Sequence, residues 1–428
     1  MMTEKITRRD MIRTTAVASA GLYLGTASSS RAEQSPNEKL NIACIGIGGR
    51  GRDNLNGVKS QNIVALCDVD ESRGGKSFGQ FPKAQRFVDY RKMLDELDKS
   101  IDAVVVSTPD HTHFHPSMLA MSMGKHLYCE KPMAHSVWEV REMTNMAAKM
   151  KVATQLGVQR HTLQNMHRSV EIVQAGLIGD VSEVHCWVGG DRGMPKVPND
   201  KPEIPAGLNW DLWLGPASFR PYHKTYCPYG WRFWWDFGTG ETGNWGCHIL
   251  DIPYWALGLT YPNRAEGSGP PIHALTTPKS MTTMLHFPEQ NVDLHWYHAK
   301  SGPPILKQLG MSPKGMNTLF IGSKGNLLTG FSKLKLYPEE KFADIKRPEK
   351  SIPNSPGFYN EWFASCKGGE MATCDFSYSG PLSETVLLAN AAYRSGGGFD
   401  WDAKNLKSSG NDKAPQFLTS EFRKGWEV

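Results

Sequence analysis

One segment, residues 238–251 (GTGETGNWGCHILD), carries polar side chains whose spacing suits acid–base chemistry. On a helix, Asn244 and His248 lie four residues apart and His248 and Asp251 three apart, so the three side chains share one face. A general base takes a proton from a reacting group, and histidine titrates close enough to neutrality to serve. His248 is therefore the candidate catalytic base, although an isolated helical histidine is more often structural. We expect Pro253 to kink or end this helix.

A second segment, residues 42–51 (IACIGIGGRG), is an apolar run that breaks into glycines spaced as GxGxxG. This spacing suits a tight turn, a close backbone approach to a pyrophosphate and close helix packing, but the triplet alone is a weak signal. Its context strengthens it, because a second apolar run at residues 63–66 leads to Asp68, where an acid can bind the ribose hydroxyls of a dinucleotide. The cofactor contacts expected from the turn are Gly46, Ile47, Gly48, Arg50 and Gly51.

Two further apolar runs end in polar turns. Residues 107–113 (STPDHTH) follow one run, and Glu130, Lys131 and Pro132 follow the other. In a doubly wound sheet the carboxyl ends of the strands face the ligand crevice, and proline turns the chain out of a strand. Glu130 and Lys131 could instead form a solvated ion pair, but a lysine at a strand end over a nucleotide cleft favours a functional role. The expected cofactor contacts are Ser107, Thr108, Pro109, His113, Glu130, Lys131 and Pro132.

The periodicity of apolar residues predicts the elements that must position these groups. Strand-like runs occupy residues 41–45, 63–66, 103–107, 126–129 and 152–156, with helical spacing at 89–97 and 137–150. Such alternation predicts a parallel sheet with helices on both faces. After Gly157 a helix at 167–175 and a strand at 181–188 lead into long insertions rich in Pro, Gly and Trp. We therefore predict an α/β Rossmann dinucleotide-binding domain over residues 37–158. An α+β domain with a large, mainly antiparallel open sheet should follow over 159–428, and its C-terminal segment could pack back on the first domain.

The motifs GIGGRG, LCDVD, TPDHTH and CEKP, in this order and spacing, resemble the glucose-fructose oxidoreductase and inositol 2-dehydrogenase family, written Gfo/Idh/MocA. The resemblance extends to GSKGNLLTG at 322–330, to DFSYSGPLSETVLL at 375–388 and to the ending QFLTSEFRKGW. The EKP turn is its most specific motif and the glycine triplet its least specific. The resemblance implies that Lys131 bridges the nicotinamide ribose and the substrate hydroxyl, while Glu130 and Pro132 fix the lysine.

The resemblance also implies roles near the histidine helix. It places the catalytic histidine there, and it places polar residues near nicotinamide and substrate at Gln159, Arg160 and His161, which could equally form interdomain hydrogen bonds. The family commonly has aspartate four residues before this histidine, where this chain has Asn244. Asparagine keeps the hydrogen bonding but loses the charge that helps to hold a cation, so proton relay is in question unless Asp251 supplies that charge.

An aromatic and charged run, residues 229–236 (YGWRFWWD), precedes the histidine helix. Aromatic faces stack on the C–H surfaces of sugars, whereas arginine and aspartate bind hydroxyls. Such runs are more often interdomain core, so we expect only one or two of the aromatic side chains to contact a ligand. The expected substrate contacts are Arg160, Arg232, Trp234, Asn244 and His248.

The N-terminus has the order of features of a twin-arginine export signal. Residues 7–13 (TRRDMIR) precede a mild apolar segment at 14–24, which is too short to span a bilayer of ~30 Å, and small residues precede a cut after Ala32. The alternative is a disordered basic tail. We predict a signal peptide over residues 1–32, removed after export by the twin-arginine machinery to the periplasm or another extracytoplasmic location.

The composition limits the partners. The 428 residues include 39% hydrophobic residues, and the formal charge of +5 is small and interspersed with acids, so nothing indicates nucleic acid binding. The eight cysteines include no CxxC pair, and no metal site is indicated. Cys366 and Cys374 could pair after export, but the sequence does not decide this.

These features predict a nicotinamide-dependent oxidoreductase that acts on a sugar, a sugar derivative or a polyol, with Lys131 polarising the oxygen and His248 exchanging its proton. Asp68 favours NAD over NADP because a carboxylate repels a ribose 2′-phosphate, whereas Arg50 and Arg73 weaken that preference. Outside the cytoplasm there is no obvious pool of free dinucleotide, so we expect the nucleotide to be tightly retained. We also expect a homo-oligomer, because association of copies would cover the exposed edge and face of an open sheet. One alternative is a redox-neutral glycosidase or lyase that oxidises the sugar transiently. The other is a non-catalytic carbohydrate-binding protein with a structural nucleotide.

Overall fold

A six-stranded sheet forms the N-terminal part of the computed structural model, which describes residues 38–427. The expected export signal over residues 1–32 lies outside the described residues. Every strand pair in this sheet is parallel, and the strand order is 3-2-1-4-5-6. The order reverses between the first and fourth strands, which is where doubly wound sheets bind ligands. The strands are β1 (Asn41–Ile45), β2 (Asn62–Cys67), β3 (Gln85–Phe87), β4 (Ala103–Val106), β5 (His126–Cys129) and β6 (Thr154–Leu156).

Five helices connect these strands: α1 (Arg50–Val58), α2 (Glu71–Gln80), α3 (Tyr90–Glu96), α4 (Phe114–Ser122) and α5 (Val137–Met150). The all-apolar β4 is fully buried, as expected for a parallel strand covered on both faces. Ser136 and Glu139 form a capping box that fixes the start of α5. The sequence-based assignment missed α2, because three glycines lower its helix propensity, and it missed β3, because that strand is short and polar.

A nine-stranded sheet forms the second part, and only its β7–β10 pair is parallel. The predicted fold class, a Rossmann domain followed by a domain with a mainly antiparallel sheet, is therefore confirmed. Its strands, in chain order, are β7 (Val181–Val188), β8 (Arg264–Ser268), β9 (Met281–Phe287), β10 (Val292–His298), β11 (Thr318–Gly322), β12 (Gly325–Thr329), β13 (Leu334–Tyr337), β14 (Phe399–Asp402) and β15 (Lys407–Ser409).

The helices of this second part are α6 (Gln164–Gln174), α7 (Trp210–Leu214), α8 (Gly240–Leu257), α9 (Ile305–Gln308), α10 (Glu339–Phe342), α11 (Phe358–Cys366) and α12 (Phe376–Arg394). Of these, α8 and α12 cover one face of the second sheet, where they pack on each other and on the strands. Side chains of β9 and β10 alternate between buried and partly exposed. The sheet therefore has a second, open face, and we use "open face" for this surface.

Helix α8 continues to Leu257 through Pro253, so the expectation that this proline would end the first segment of the helix needs correction. Proline removes one helical hydrogen bond, but Pro253 is itself buried and so are the residues on either side of it, and this packing holds the backbone in place. As a result, one continuous helix runs from the cleft into the core.

The C-terminal segments return to the helices that flank the first sheet. Trp138 N donates to Leu418 O at 3.0 Å, and a His115 ring nitrogen lies 2.8 Å from Trp426 O. Among residues 38–427, no helix has both the length and the apolar character needed to cross a membrane.

Candidate functional site

A cavity of about 700 Å³ lies at the carboxyl ends of β1, β2, β4 and β5, where the first sheet meets α8. It brings together side chains from distant parts of the sequence that sequence analysis had singled out. The predicted residues in its lining are Gly46, Gly48, Arg50, Asp68, Ser107, Thr108, Pro109, His113, Glu130, Lys131, Gln159, Arg160, Arg232, Asn244 and His248. Ile47, Gly51, Pro132, Asp251 and Trp234 lie outside this lining.

The glycine turn between β1 and α1 has no room for side chains. Gly46 has a φ of 76°, and a Cβ on it would lie 2.8 Å from Ser107 O. A Cβ on Gly51 would lie 1.7 Å from Gly46 O, so this glycine closes the turn from behind. No side chain in the described part of the chain caps the N-terminus of α1. The backbone there is therefore available to a phosphate group, which fits a dinucleotide.

Asp68 lies at the end of β2, on the adenosine side of such a nucleotide. Its carboxylate accepts hydrogen bonds from Ile47 N at 2.9 Å and from Asp70 N at 3.0 Å, which gives Ile47 an indirect role in the cleft. Burial raises the pKa of Asp68, and these amide bonds act against that rise. Arg73 lines the same end of the cavity, so an acid and a cation both face this position.

Glu130 is the centre of a hydrogen-bond network beneath the cleft. Its Oε1 accepts from Arg50 Nε at 3.2 Å, from Asn54 Nδ2 at 3.0 Å and from Gln159 Nε2 at 2.7 Å. Tyr359 in α11 donates to Asn54 Oδ1 at 2.8 Å and so ties the second part of the chain to this network. A buried carboxylate with this many donors is rigid, and it holds the turn that carries Lys131.

Lys131 extends from the EKP turn to helix α8. Its Nζ donates to Asn244 O at 2.6 Å and lies 3.5 Å from Asn244 Oδ1. Burial lowers the pKa of Lys131, while the nearby Glu130 and Asp110 carboxylates act in the opposite direction. Pro132 shapes the turn from behind, since its carbonyl oxygen lies 2.8 Å from His113 Nδ1.

His248 lies on the same face of α8, four residues after Asn244, and is only 9% exposed. Burial lowers its pKa well below the ordinary value, and the positive charges of Lys131, Arg160 and Arg50 lower it further. Its Nδ1 has no hydrogen-bond partner among residues 38–427. His248 is therefore a neutral imidazole at neutral pH, and a neutral imidazole can accept a proton.

A carboxylate does lie near Asn244, but it comes from Glu241, one turn earlier in α8. Asn244 Nδ2 donates to Glu241 Oε2 at 3.1 Å. The other oxygen of Glu241 forms an ion pair with Arg192 from the insertion after β7. A negative charge thus lies beside Asn244 at Glu241, and an arginine balances it.

Asp251 does not supply that charge, and the expectation of a catalytic role in the cleft needs correction. It is fully buried; its carboxylate lies 3.0 Å from His161 Nδ1 and accepts from Tyr378 Oη at 2.6 Å. Asp251 lies about 4.5 Å further along α8 than His248, and there its side chain contacts the partners from other elements. Its negative charge faces His161 instead of His248.

Trp234 also needs correction as a substrate contact. Its ring is fully buried in a cluster with Trp213, Tyr226 and Phe237, and its Nε1 donates to Thr225 O at 3.2 Å. Arg232 does line the cleft, with its guanidinium 4.2 Å from the Trp231 ring centroid. Of this aromatic run, Tyr229 and Trp231 line the cavity.

Several cavity residues were not identified as site residues from the sequence. Trp245 follows Asn244, and Arg160 stacks over it with its guanidinium carbon 5.4 Å from the ring centroid. Its position three residues before His248 places it on the cleft face of α8, a signal that the sequence did contain. The others come from the segment after β4, from α7 and the insertion around it, and from the C-terminus, and include Asp110, Thr112, Trp213, Cys227 and Trp426.

The insertion after β7 covers the adenosine end of the cleft. Glu71 N donates to Gly207 O at 2.9 Å, and Asn209 N donates to Val69 O at 2.8 Å. These backbone bonds place the insertion directly beside the end of β2, and Trp426 lines the cavity as well. A bound nucleotide would therefore be enclosed by the second part of the chain.

Comparison with known proteins agrees with this geometry. Residues 40–158 match the Gfo/Idh/MocA profile described as "Oxidoreductase family, NAD-binding Rossmann fold". Residues 182–262 match the companion profile described as "Oxidoreductase family, C-terminal alpha/beta domain".

Two curated relatives match part of the chain. A glycosyl hydrolase family 109 protein from Solibacter usitatus is 29% identical over 204 residues, which cover 42% of this chain and 45% of that protein. Inositol 2-dehydrogenase 1 from Saccharopolyspora erythraea is 30% identical over 153 residues, covering 34% of this chain and 45% of that protein. The chain thus spans a little under half the length of these relatives.

A solved structure shares the fold over most of the chain. The WlbA dehydrogenase from Bordetella pertussis, determined in complex with NADH and UDP-GlcNAcA, matches with a TM-score of 0.62 and 14% identity. The match covers 85% of this chain and 99% of that one.

Proposed function

The chain belongs to the Gfo/Idh/MocA family of NAD-binding oxidoreductases, and on this premise we propose that it oxidises or reduces a hydroxyl-bearing carbon of a sugar, a sugar derivative or a polyol. The observation that carries the proposal is that Lys131 and His248 line one cavity together with the glycine turn. When bound there, NAD or NADP supplies hydride acceptance and donation at nicotinamide C4. The curated relatives include inositol 2-dehydrogenases, which supports a polyhydroxylated substrate.

The side chains divide the proton chemistry between them. Lys131, held at Asn244 O, is placed to donate a hydrogen bond to the substrate oxygen and to stabilise negative charge as the hydroxyl proton leaves. His248 is neutral, so it can accept that proton during oxidation and return it during reduction. Arg160 and Arg232 are the candidate groups that orient the remaining hydroxyls of the substrate.

The preference between the two nucleotides follows from the groups at the end of β2. The Asp68 carboxylate already accepts two backbone amides and faces the cavity, which favours the unphosphorylated ribose of NAD. Arg73 stands beside it and makes the preference modest. Asp68→Ser should raise the affinity for NADP relative to NAD, as measured by competitive titration with each reduced nucleotide.

We further propose that the nucleotide is loaded before export and retained. The insertion bound to β2 and the C-terminal Trp426 enclose the adenosine end, which supports slow release. The twin-arginine route accepts folded proteins, so a nucleotide enclosed in this way can accompany the chain out of the cytoplasm. The open face of the second sheet is the surface on which we expect a homo-oligomer to form.

The test is to purify the exported protein, release and identify its nucleotide, and then follow the redox state of that nucleotide as sugars and polyols are added to the intact protein. A sugar that reduces the bound nucleotide and accumulates as a keto-sugar supports the proposal. A nucleotide whose redox state no sugar or polyol changes contradicts it.

A second candidate function is favoured by the relative from glycosyl hydrolase family 109. In this reaction a sugar hydroxyl is oxidised transiently, the neighbouring C–H loses its proton and the glycosidic substituent leaves, which forms a double bond. Water adds to that bond when the outcome is hydrolysis, and the ketone is then reduced again. The same Lys131 and His248 serve these steps, and no net oxidation results. Mixing the protein with glycosides separates the two functions, because cleavage without an accumulated keto-sugar supports this candidate and excludes a simple dehydrogenase.

A further inference from the structure

Three potential metal ligands from two segments that are far apart in the sequence meet on the open face of the second sheet, outside the lining of the nucleotide cavity. Glu183 and His185 lie on β7, and His295 lies on the neighbouring strand β10, directly opposite His185. Strands β7 and β10 are the one parallel pair of this sheet, and they lie at its centre. The three side chains are therefore held on a rigid backbone.

The distances between the ligand atoms suit a divalent metal ion. Glu183 Oε2 lies 3.2 Å from His185 Nε2 and 3.9 Å from His295 Nε2, and all three atoms lie within 4.8 Å of one another. Bonds of about 2.0–2.1 Å at tetrahedral angles place ligand atoms roughly 3.3 Å apart. A small rotation of the partly exposed side chains brings the set to that spacing.

The surroundings of the two imidazoles favour the ligand orientation. His185 Nδ1 lies 3.0 Å from Tyr297 Oη, so Nδ1–H can donate to the tyrosine and leave the Nε2 lone pair for a metal. The rings of His185 and His295 stack with centroids 4.7 Å apart and an angle of 9°, so the two ring planes are nearly parallel. The Glu183 side chain is 44% exposed, so an ion can enter from solvent.

The charges around the cluster also agree. Asp293 on β10 lies opposite Glu183 and adds negative charge, while its own partner is His286 on β9 at 2.7 Å.

We propose that Glu183, His185 and His295 form a binding site for a divalent transition-metal ion of the Zn²⁺ type, with the fourth position open to water. Two imidazoles and one carboxylate are ligands that suit Zn²⁺ and its neighbours in the series. The bound ion links β7 to β10 across the centre of the sheet and stabilises the folded chain. Because all three ligands belong to one chain, the site takes one ion per chain whether or not copies associate.

Co²⁺ titration of the metal-stripped full-length protein, without a histidine tag, tests this site. The wild type should bind one Co²⁺ per chain with the visible absorption of a tetrahedral ion, and Zn²⁺ should displace it. His295→Ala and Glu183→Gln should each weaken binding by about 100-fold. The matched control is His286→Ala, which removes a histidine with a carboxylate partner from the same face and should bind as the wild type does.

Thermal unfolding without metal, together with nucleotide binding, shows whether each variant is folded. Equal Co²⁺ binding by the wild type and His295→Ala would overturn the site, as would full binding by Glu183→Gln or the lack of a tetrahedral band in the wild type. The proposal does not depend on the oxidoreductase function, because its readouts do not involve substrate turnover.

Discussion

Lys131 Nζ donates a hydrogen bond to the backbone oxygen of Asn244 at 2.6 Å. This bond joins the turn after β5 to the helix that carries His248, so the cation and the candidate base are fixed relative to each other across the cleft. The backbone of α8 holds the lysine, and the interaction therefore survives a change of the side chain at position 244. This explains how a chain with asparagine at that position keeps the geometry of the site.

Lys131→Met should slow substrate oxidation by about 10²-fold to 10⁴-fold while the nucleotide stays bound. Methionine has a similar length but no charge and no donor, so the substrate oxygen loses its stabilising hydrogen bond. The measurement is the rate at which the nicotinamide absorbance changes in a single turnover. Lys125→Met is the control, because Lys125 pairs with Asp98 away from the cleft. A Lys131→Met rate within about tenfold of the wild-type rate would exclude the assigned role.

The pH profile of kcat/KM should be bell-shaped, with both limbs displaced to lower pH. His248 must be unprotonated to accept a proton, and its lowered pKa places the acidic limb below about 6.5. Lys131 must be protonated to donate, and its lowered pKa places the alkaline limb below about 10.5. Lys131→Arg should move the alkaline limb upward, because arginine stays charged.

The same shift in His248 affects stability. Its unfolded-state pKa is near 6.5 and its folded-state pKa is lower, so the unfolded chain takes up the proton first as the pH falls. The free energy of unfolding should therefore decrease below about pH 6.5, and His248→Asn should reduce this decrease. If the free energy of unfolding of His248→Asn decreases at acidic pH as much as that of the wild type, another group causes the decrease.

Asn244→Asp, which installs the residue common in the family, should destabilise this chain. Asn244 donates to Glu241 Oε2 at 3.1 Å, so the substitution places two carboxylates at hydrogen-bond distance. We expect a loss of about 1–3 kcal/mol in the free energy of unfolding, measured at neutral pH. The double variant Asn244→Asp with Glu241→Gln should recover most of that loss. Equal stability of the single variant and the wild type would show that Glu241 does not compensate for the asparagine.

Some features of the fold and the site could be predicted because they are encoded locally. The observed β1 has the expected bounds, since an apolar run there ends abruptly in glycine. The EKP turn directly follows β5, whose four residues are apolar or partly apolar, and the proline is the last residue of the turn. Trp245 could also have been predicted to line the cleft, because it shares the face of α8 with Asn244 and His248.

Other features depend on contacts between residues far apart in the sequence. Asp251 has the spacing of a cleft residue, but the partner that takes its charge, His161, belongs to another element. Arg192 reaches Glu241 from a long insertion whose path no periodicity predicts. Of the proposed metal ligands, His295 meets Glu183 and His185 only through the register of β10 against β7, which no motif in the sequence predicts.

Trp426→Ala should speed the release of the bound nucleotide by about tenfold, which corresponds to a decrease of roughly 1.4 kcal/mol in the free-energy barrier to release. The indole lines the cavity, and the guanidinium carbon of Arg91 lies over it, 4.7 Å from the centroid of the indole ring. The measurement is the fraction of nucleotide that remains after dilution and gel filtration, followed over time. Phe219→Ala is the control, since that ring is 72% exposed and lies outside the cavity lining. An unchanged release rate in Trp426→Ala would show that the C-terminal segment does not retain the nucleotide.

Asp251→Asn should reduce stability much more than catalysis. The carboxylate is fully buried between His161 Nδ1 and Tyr378 Oη, so the substitution weakens two buried hydrogen bonds and removes the charge opposite His161. We expect a loss of about 1–3 kcal/mol in the free energy of unfolding. The kcat/KM should stay within about tenfold of the wild-type value, because Asp251 does not touch the cleft. His161→Asn should cost a similar amount, and the double variant should cost less than the sum, because both changes break the same contact. If Asp251→Asn instead slows turnover by more than about 10²-fold at unchanged stability, Asp251 acts on His248 directly during catalysis. The two side chains would then have to approach each other more closely in the reacting enzyme than they do in this structure.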